Sequence, residues 1–171
     1  MRKFLIVVVA VLSCMFATVV MAQEAATPYE VVTKVREAAH NLSKTHDLKQ
    51  FDQGQSSRVW KDTYVFVFNC ETKTVAAHPV NPKAIGRKIS SIRDATGNRL
   101  FPDVDRLCRE ARTPSGIWIQ YHWRKPGEKK DSRKVSYFKA AKGTTYIVGA
   151  GIYDEKQTAA ELQELTEKNK E

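Results

Sequence analysis

From Pro28 onward, apolar residues recur at intervals of three and four: Val31, Val35, Ala38 and Leu42, with Lys34, Glu37, Asn41 and Lys44 between them. One apolar stripe at a 3.6-residue period predicts an amphipathic helix, opened by Pro28, whose missing N–H would be unpaired there anyway. Gln53-Gly54-Gln55-Ser56-Ser57 breaks the pattern. Tyr64 to Phe68 is then apolar at every position, β-branched or aromatic throughout, which predicts a strand buried on both faces. A second short strand, Thr74 to His78, is stopped by Pro79 and Pro82, and 81–98 reads as turns, tightest at Asp94-Ala95-Thr96-Gly97-Asn98. Leu100, Val104, Leu107 and Ala111 predict a second amphipathic helix over about 99–112, closed by Pro114-Ser115-Gly116. Three strands follow: Ile117–Trp123, Arg133–Ala140 and Thr144–Tyr153, the last with Gly149 and Gly151 where a bulge or a close approach is needed. Asp154 with Gln157 predicts a capped start for a polar terminal helix whose thin apolar face is Ala159, Leu162 and Leu165, fraying near Lys168. Helix, two strands, helix and three antiparallel strands make an α+β domain without internal repeats.

The segment before Pro28 is different in kind. Met1-Arg2-Lys3 precedes an uncharged run from Phe4 to Val20, and Val20-Met21-Ala22 offers small residues for a cut ahead of Gln23. This is the three-part pattern of a secretory signal peptide over residues 1–22, with Gln23 as the expected mature start. A retained membrane anchor is the alternative, since the run approaches the ~20 residues a span needs; a lipid anchor at Cys14 fits less well because the chain stays apolar after it. The expected location is periplasmic or secreted.

Composition then narrows the function. The 171 residues are enough for one ordinary domain, and 42% hydrophobic against 27% charged residues allows a core. No CxxC, HExxH, GxxxxGKS/T or GxGxxG occurs, so the common metal and nucleotide fingerprints are absent, and no metal or cofactor is expected. Net charge is +9; removing 1–22 takes away Arg2 and Lys3 and no acid, leaving +7. That charge favours anions generally, while export argues against nucleic acid as the partner. Removal of Cys14 leaves Cys70 and Cys108, which an oxidising compartment allows to pair; two separate buried thiols are the alternative.

Several segments, in order, resemble a known family. These are Tyr64-Val65-Phe66-Val67-Phe68, Ala77-His78-Pro79-Val80-Asn81-Pro82, Ile85-Gly86-Arg87-Lys88, Asp94 to Asn98, Gly116 to Trp123, Lys134-Val135-Ser136-Tyr137 and Gly143 to Tyr153. Together they look like the single Cache domain, the extracytoplasmic ligand-sensing module of bacterial chemoreceptors and sensor kinases, over residues 28–154, with 155–171 as a polar helix or tail. The resemblance implies a long N-terminal helix packed on a PAS-like antiparallel sheet, and a small-molecule pocket on the sheet's other side. Receptor members sit between two membrane spans, whereas this chain ends as a polar helix soon after Tyr153, so a free-standing periplasmic binder is expected.

Alternation assigns faces to the candidate ligand contacts. In Ile117–Trp123 it groups Ile119, Tyr121 and Trp123 against Trp118, Gln120 and His122, and in the next strand Lys134, Ser136 and Phe138 against Arg133, Val135 and Tyr137. Tyr121 and Trp123 offer an apolar wall with polar tips, or simply core. His78, at a strand end, and Lys134 are expected at the rim; Lys134 or Arg133 can meet a carboxylate, or else sit on a solvated edge. Tyr137 is a further candidate contact. The expected ligand-binding set is therefore Tyr121, Trp123, His78, Lys134, Arg133 and Tyr137, for a small carboxylate-like ligand presented to a membrane receptor or sensor kinase. No nucleophile–base pairing is visible, so a non-enzymatic binder is expected over an enzyme or a ligand-free structural or redox-partner protein.

Overall fold

The computed structural model describes residues 23–54 and 56–168. The expected signal peptide, residues 1–22, lies outside the described residues. Helix α1, Pro28–Thr45, buries Val31, Val35, Ala38, Ala39 and Leu42, as its periodicity predicts. Its start is a capping box: the Thr27 hydroxyl accepts from the Glu30 N–H, while the Glu30 carboxylate accepts from the Thr27 N–H at 2.8 Å. His46, in the left-handed region, ends the helix.

Two very short strands, β1 Val59–Trp60 and β2 Thr63–Tyr64, pair as a small ribbon through a turn at Lys61-Asp62. The main sheet has five antiparallel strands in the order β4 (Thr74–Ala77), β3 (Phe66–Asn69), β7 (Tyr146–Ile152), β6 (Asp131–Ala140), β5 (Ile117–Arg124). The apolar run 64–68 is thus divided: Tyr64 belongs to the ribbon and Phe66 onward to the sheet, although all five side chains are buried. The last strand of the chain is the central one, which explains its β-branched composition.

Each face of the sheet carries its own core. On one, Val65, Val67, Val135, Tyr137, Val148, Ala150 and Ile152 pack against α1. On the other, Tyr64, Phe66, Phe68, Tyr121, Phe138 and Ile147 pack against Ile89, Ile92, Leu100, Phe101 and the helix α2, Val104–Glu110. The second helix is shorter than expected from 99–112, because Pro102 precedes it and Asp103 caps it by accepting from the Arg106 N–H. The Cys70–Cys108 disulfide ties the end of β3 to α2 and so fastens this helix over the second core.

Gly149 and Gly151 mark close approaches, one of the two expected roles. A Cβ on Gly149 would lie 2.7 Å from the Phe138 ring and 2.8 Å from Phe66, and one on Gly151 would meet Ser136 Oγ at 2.3 Å and the Val135 carbonyl at 2.6 Å. The Val135 carbonyl belongs to the adjoining strand and cannot move aside. Gly151→Ala is therefore expected to cost about 1–3 kcal/mol by overpacking, read as a lower urea midpoint with unchanged slope.

The terminal helix α3, Ala159–Lys168, begins later than the Asp154 signal implies. Asp154 does accept from the N–H groups of Lys156 and Gln157, but the helix is capped by a Thr158–Glu161 box. Leu162 and Thr166 are buried against β5, whereas Leu165, expected on the apolar face, is 50% exposed. No helix among the described residues is long and apolar enough to cross a membrane.

Candidate functional site

The face opposite α1 is where charge and space meet. Pairing of β5 with β6 sets Tyr121 directly across from Lys134. Lys134 is 0% exposed and its Nζ has no hydrogen-bond partner. The ammonium instead lies over aromatic faces, 4.2 Å from the Tyr64 ring centroid, 4.8 Å from Tyr153 and 5.7 Å from Phe66. Such contacts stabilise a desolvated cation by about 2 kcal/mol, less than the several kcal/mol that burying the charge costs. Burial accordingly pushes the Lys134 amine down to about 7, opposed by the attraction of Asp62. The expectation of a rim or edge position for Lys134 is corrected: it is deep in the fold, because the Tyr64 and Tyr153 rings close over it.

His78 follows β4 and is 6% exposed, its ring 4.8 Å from Tyr64 and 5.9 Å from Phe66. Its Nδ1 accepts from the Asn81 N–H at 3.1 Å, which places the imidazole proton on Nε2. Burial, reinforced by the Lys134 charge, lowers His78 to about 3, so it is a neutral donor at physiological pH. Trp123 Nε1 donates to the Tyr64 hydroxyl at 2.8 Å, and the Tyr121 and Ser136 hydroxyls bond at 2.8 Å. Burial pushes the phenols of Tyr64, Tyr121 and Tyr153 up, keeping all three protonated.

Two spaces adjoin these groups. An inner one of about 30 Å³ is lined by Tyr64, Phe66, His78, Phe101, Tyr121 and Trp123, among others. An outer cleft of about 690 Å³ is lined by His78, Asn81, Arg93, Lys125, Glu128 and Asp131. Tyr64, His78, Asn81 and Trp123 line both, so these four side chains, two of them joined by the Tyr64–Trp123 hydrogen bond, form the partition between cleft and inner cavity. The inner space matches roughly one water in volume, while the cleft has the size of a small-molecule site.

Of the six residues expected to line a site, four converge here: Tyr121, Trp123 and His78 on the cavity walls, and Lys134 behind them. Arg133 and Tyr137 do not. Arg133 donates to the Gln120 side chain and to the carbonyls of Asp154 and Gln157, pinning the chain ahead of α3. Tyr137 packs on Trp118 in the α1-side core and donates to the Ser115 carbonyl at 2.7 Å. Strand alternation alone puts both on the wrong face. Tyr64, Tyr153 and Asp62 belong to the site although they are not among the residues expected there; Tyr64 sits in an unbroken apolar run, Tyr153 at the end of the last strand pattern and Asp62 in a turn. Among the described residues no cluster of His, Cys, Asp and Glu is placed to hold a metal ion, and both described cysteines are used in the disulfide.

Comparison with known proteins bears on this arrangement. The model of a family described as the Cache domain matches residues 38–157. Methyl-accepting chemotaxis protein McpP of Pseudomonas putida is 31% identical over 118 residues, covering 68% of this chain; the chain spans only 21% of that relative. A solved periplasmic sensor domain of a chemotaxis protein superposes with a TM-score of 0.53 at 25% identity, covering 74% of this chain and 97% of the other. A methyl-accepting chemotaxis protein from Vibrio parahaemolyticus RIMD 2210633 shares the fold, with a TM-score of 0.51 at 18% identity over 72% of this chain and 82% of that one.

Proposed function

The chain belongs to the Cache domain family, and from that premise we propose that it is an extracytoplasmic sensor capturing a small organic anion of the carboxylate class, with Lys134 as the charge partner. The observation that carries this reading is the fully buried, unpartnered Lys134 ammonium. The buried cluster around it holds Asp62, ion-paired to Lys125 at 3.0 Å, and the neutral His78, so with Lys134 charged it carries one more positive than negative charge. A carboxylate brought against Lys134 balances that charge where water does not compete. His78 Nε2–H supplies a second donor, and the aromatic walls receive the apolar part of the ligand. The ligand arrives through the outer cleft and separates Trp123 from Tyr64, since the inner space is too small for an organic acid while that partition is closed. The matched relative and solved neighbour, both chemotaxis proteins, support a sensory role, in which the occupied domain signals to a membrane receptor or sensor kinase.

Thermal-shift screening tests the reading. Small carboxylates are expected to raise the melting temperature, and their uncharged amides and matched amines are not. An acid at 100 times its dissociation constant adds about 2.7 kcal/mol, several degrees for a domain of this size. The shift should be larger at pH 6 than at pH 8, because Lys134 carries its charge below about 7. Stabilisation by amines or amides alone overturns the anion assignment.

A further inference from the structure

The turn between β1 and β2 places a second charged group behind the aromatic cage. Asp62 is fully buried. Its Oδ1 accepts from the Ala26 N–H at 2.8 Å and its Oδ2 pairs with Lys125 Nζ at 3.0 Å. The turn itself is fixed: Lys61 pairs with Glu24 and Glu30, each at 2.8 Å, and the Thr63 hydroxyl donates to the Gly151 carbonyl at 2.6 Å. Lys125 also lies 5.9 Å from the Tyr153 ring centroid and Lys134 lies 4.8 Å from it, so Lys125, with its bound Asp62, shares one aromatic ring with Lys134. We propose that Asp62 is a positioning residue of the site, acting through Lys134: its carboxylate, fixed from behind by Ala26 and Lys125, keeps the Lys134 amine protonated and thereby sets the pH range over which the site captures an anion.

The surroundings of Lys134 single out this role. Tyr64 from β2, Phe66 from β3, Tyr121 from β5 and Tyr153 after β7 all face it, and each tyrosine is held protonated by burial. His78, after β4, is neutral. Asp62 is thus the anion among these groups, and its attraction is what opposes the loss of the Lys134 proton on burial. Fixation matters as much as charge, because a carboxylate free to rotate towards solvent would exert little field at a buried amine. The inference rests on the proposed anion capture only for its consequence; the charge relation between Asp62 and Lys134 can be measured without ligand.

The test follows the Lys134 εCH₂ resonance by NMR through a pH titration of lysine-labelled protein, assigned by its disappearance in Lys134→Met. Asp62→Asn retains an oxygen for Ala26 and removes only the charge. It should move the Lys134 midpoint about one pH unit to the acid side, weakening acetate binding about tenfold above that midpoint. Lys125→Met frees the Asp62 charge from its pair and should move the midpoint the opposite way. A midpoint unchanged in both folded variants overturns the proposal, as does an alkaline shift in Asp62→Asn. Should Asp62→Asn fail to fold, the sign of the Lys125→Met shift decides alone. If the midpoints move as expected while the wild type binds no carboxylate, Asp62 keeps its role and the proposed ligand class is what falls.

Discussion

Lys134→Met is expected to make the protein more stable and unable to capture carboxylates. Methionine has the length to occupy the space of the lysine stem beneath Tyr64 and Tyr153 and brings no charge. Replacing a buried ionic group by a well-packed apolar one is commonly neutral or stabilising by about 1–4 kcal/mol, and here the lysine makes no hydrogen bond and is compensated only by aromatic faces and the attraction of Asp62. The variant should therefore melt several degrees higher at pH 6. The difference should narrow as pH rises. Between about 7, where folded Lys134 loses its proton, and its ordinary 10.5, the unfolded chain binds the extra proton, so the wild type gains stability with pH across that interval. The variant lacks this contribution. A Lys134→Met protein less stable than wild type at pH 6 would mean that the lysine is structural and its burial is balanced by contacts other than those described. Stability given up at one buried residue is the expected signature of a binding site.

The second large effect concerns the disulfide. Cys70 and Cys108 are 38 residues apart in sequence, and closing a loop of that size stabilises by about 4 kcal/mol in the chain-entropy picture. Reduction, or the Cys70→Ser/Cys108→Ser double variant, should lower the melting temperature by roughly 10 °C. Because the bond fastens α2, with Val104 and Leu107, over Phe101 and the rest of the cavity-side core, carboxylate binding should weaken alongside stability. An unchanged melting temperature after complete reduction, verified by mass, would show that packing of Val104 and Leu107 alone holds α2 in place.

The fold was largely legible because its signals are local. The three-and-four spacing from Val31 to Leu42 fixes α1, and alternation groups Tyr121 with Trp123 in β5 and Lys134 with Ser136 in β6, while the pairing of Tyr121 with Lys134 puts the two groups on one face. Alternation within β6 separates Arg133 and Tyr137 from Lys134; residue type suggests those two, and strand geometry removes them. Helix starts differ from the sequence expectation where a stronger cap lies nearby: Asp103 after Pro102 displaces the expected start near 99, and Thr158 with Glu161 outranks Asp154. The depth of Lys134 was not legible, because it depends on Tyr64 and Tyr153, which reach it from distant parts of the chain. Asp62 was invisible for a related reason. Its partners, Ala26 and Lys125, lie in segments without periodicity, and only the folded ribbon brings them together.

The central claim is that Lys134 is the charge partner of a captured organic anion. Calorimetric titration of the wild type and Lys134→Met at pH 6, with a set of small carboxylates and their matched amides, tests it most directly. The account predicts that the wild type binds at least one carboxylate and not its amide, and that the variant, folded and more stable, loses that affinity by on the order of 100-fold or more. Equal affinity of the two proteins for the carboxylate, or equal affinity of the wild type for carboxylate and amide, would contradict it.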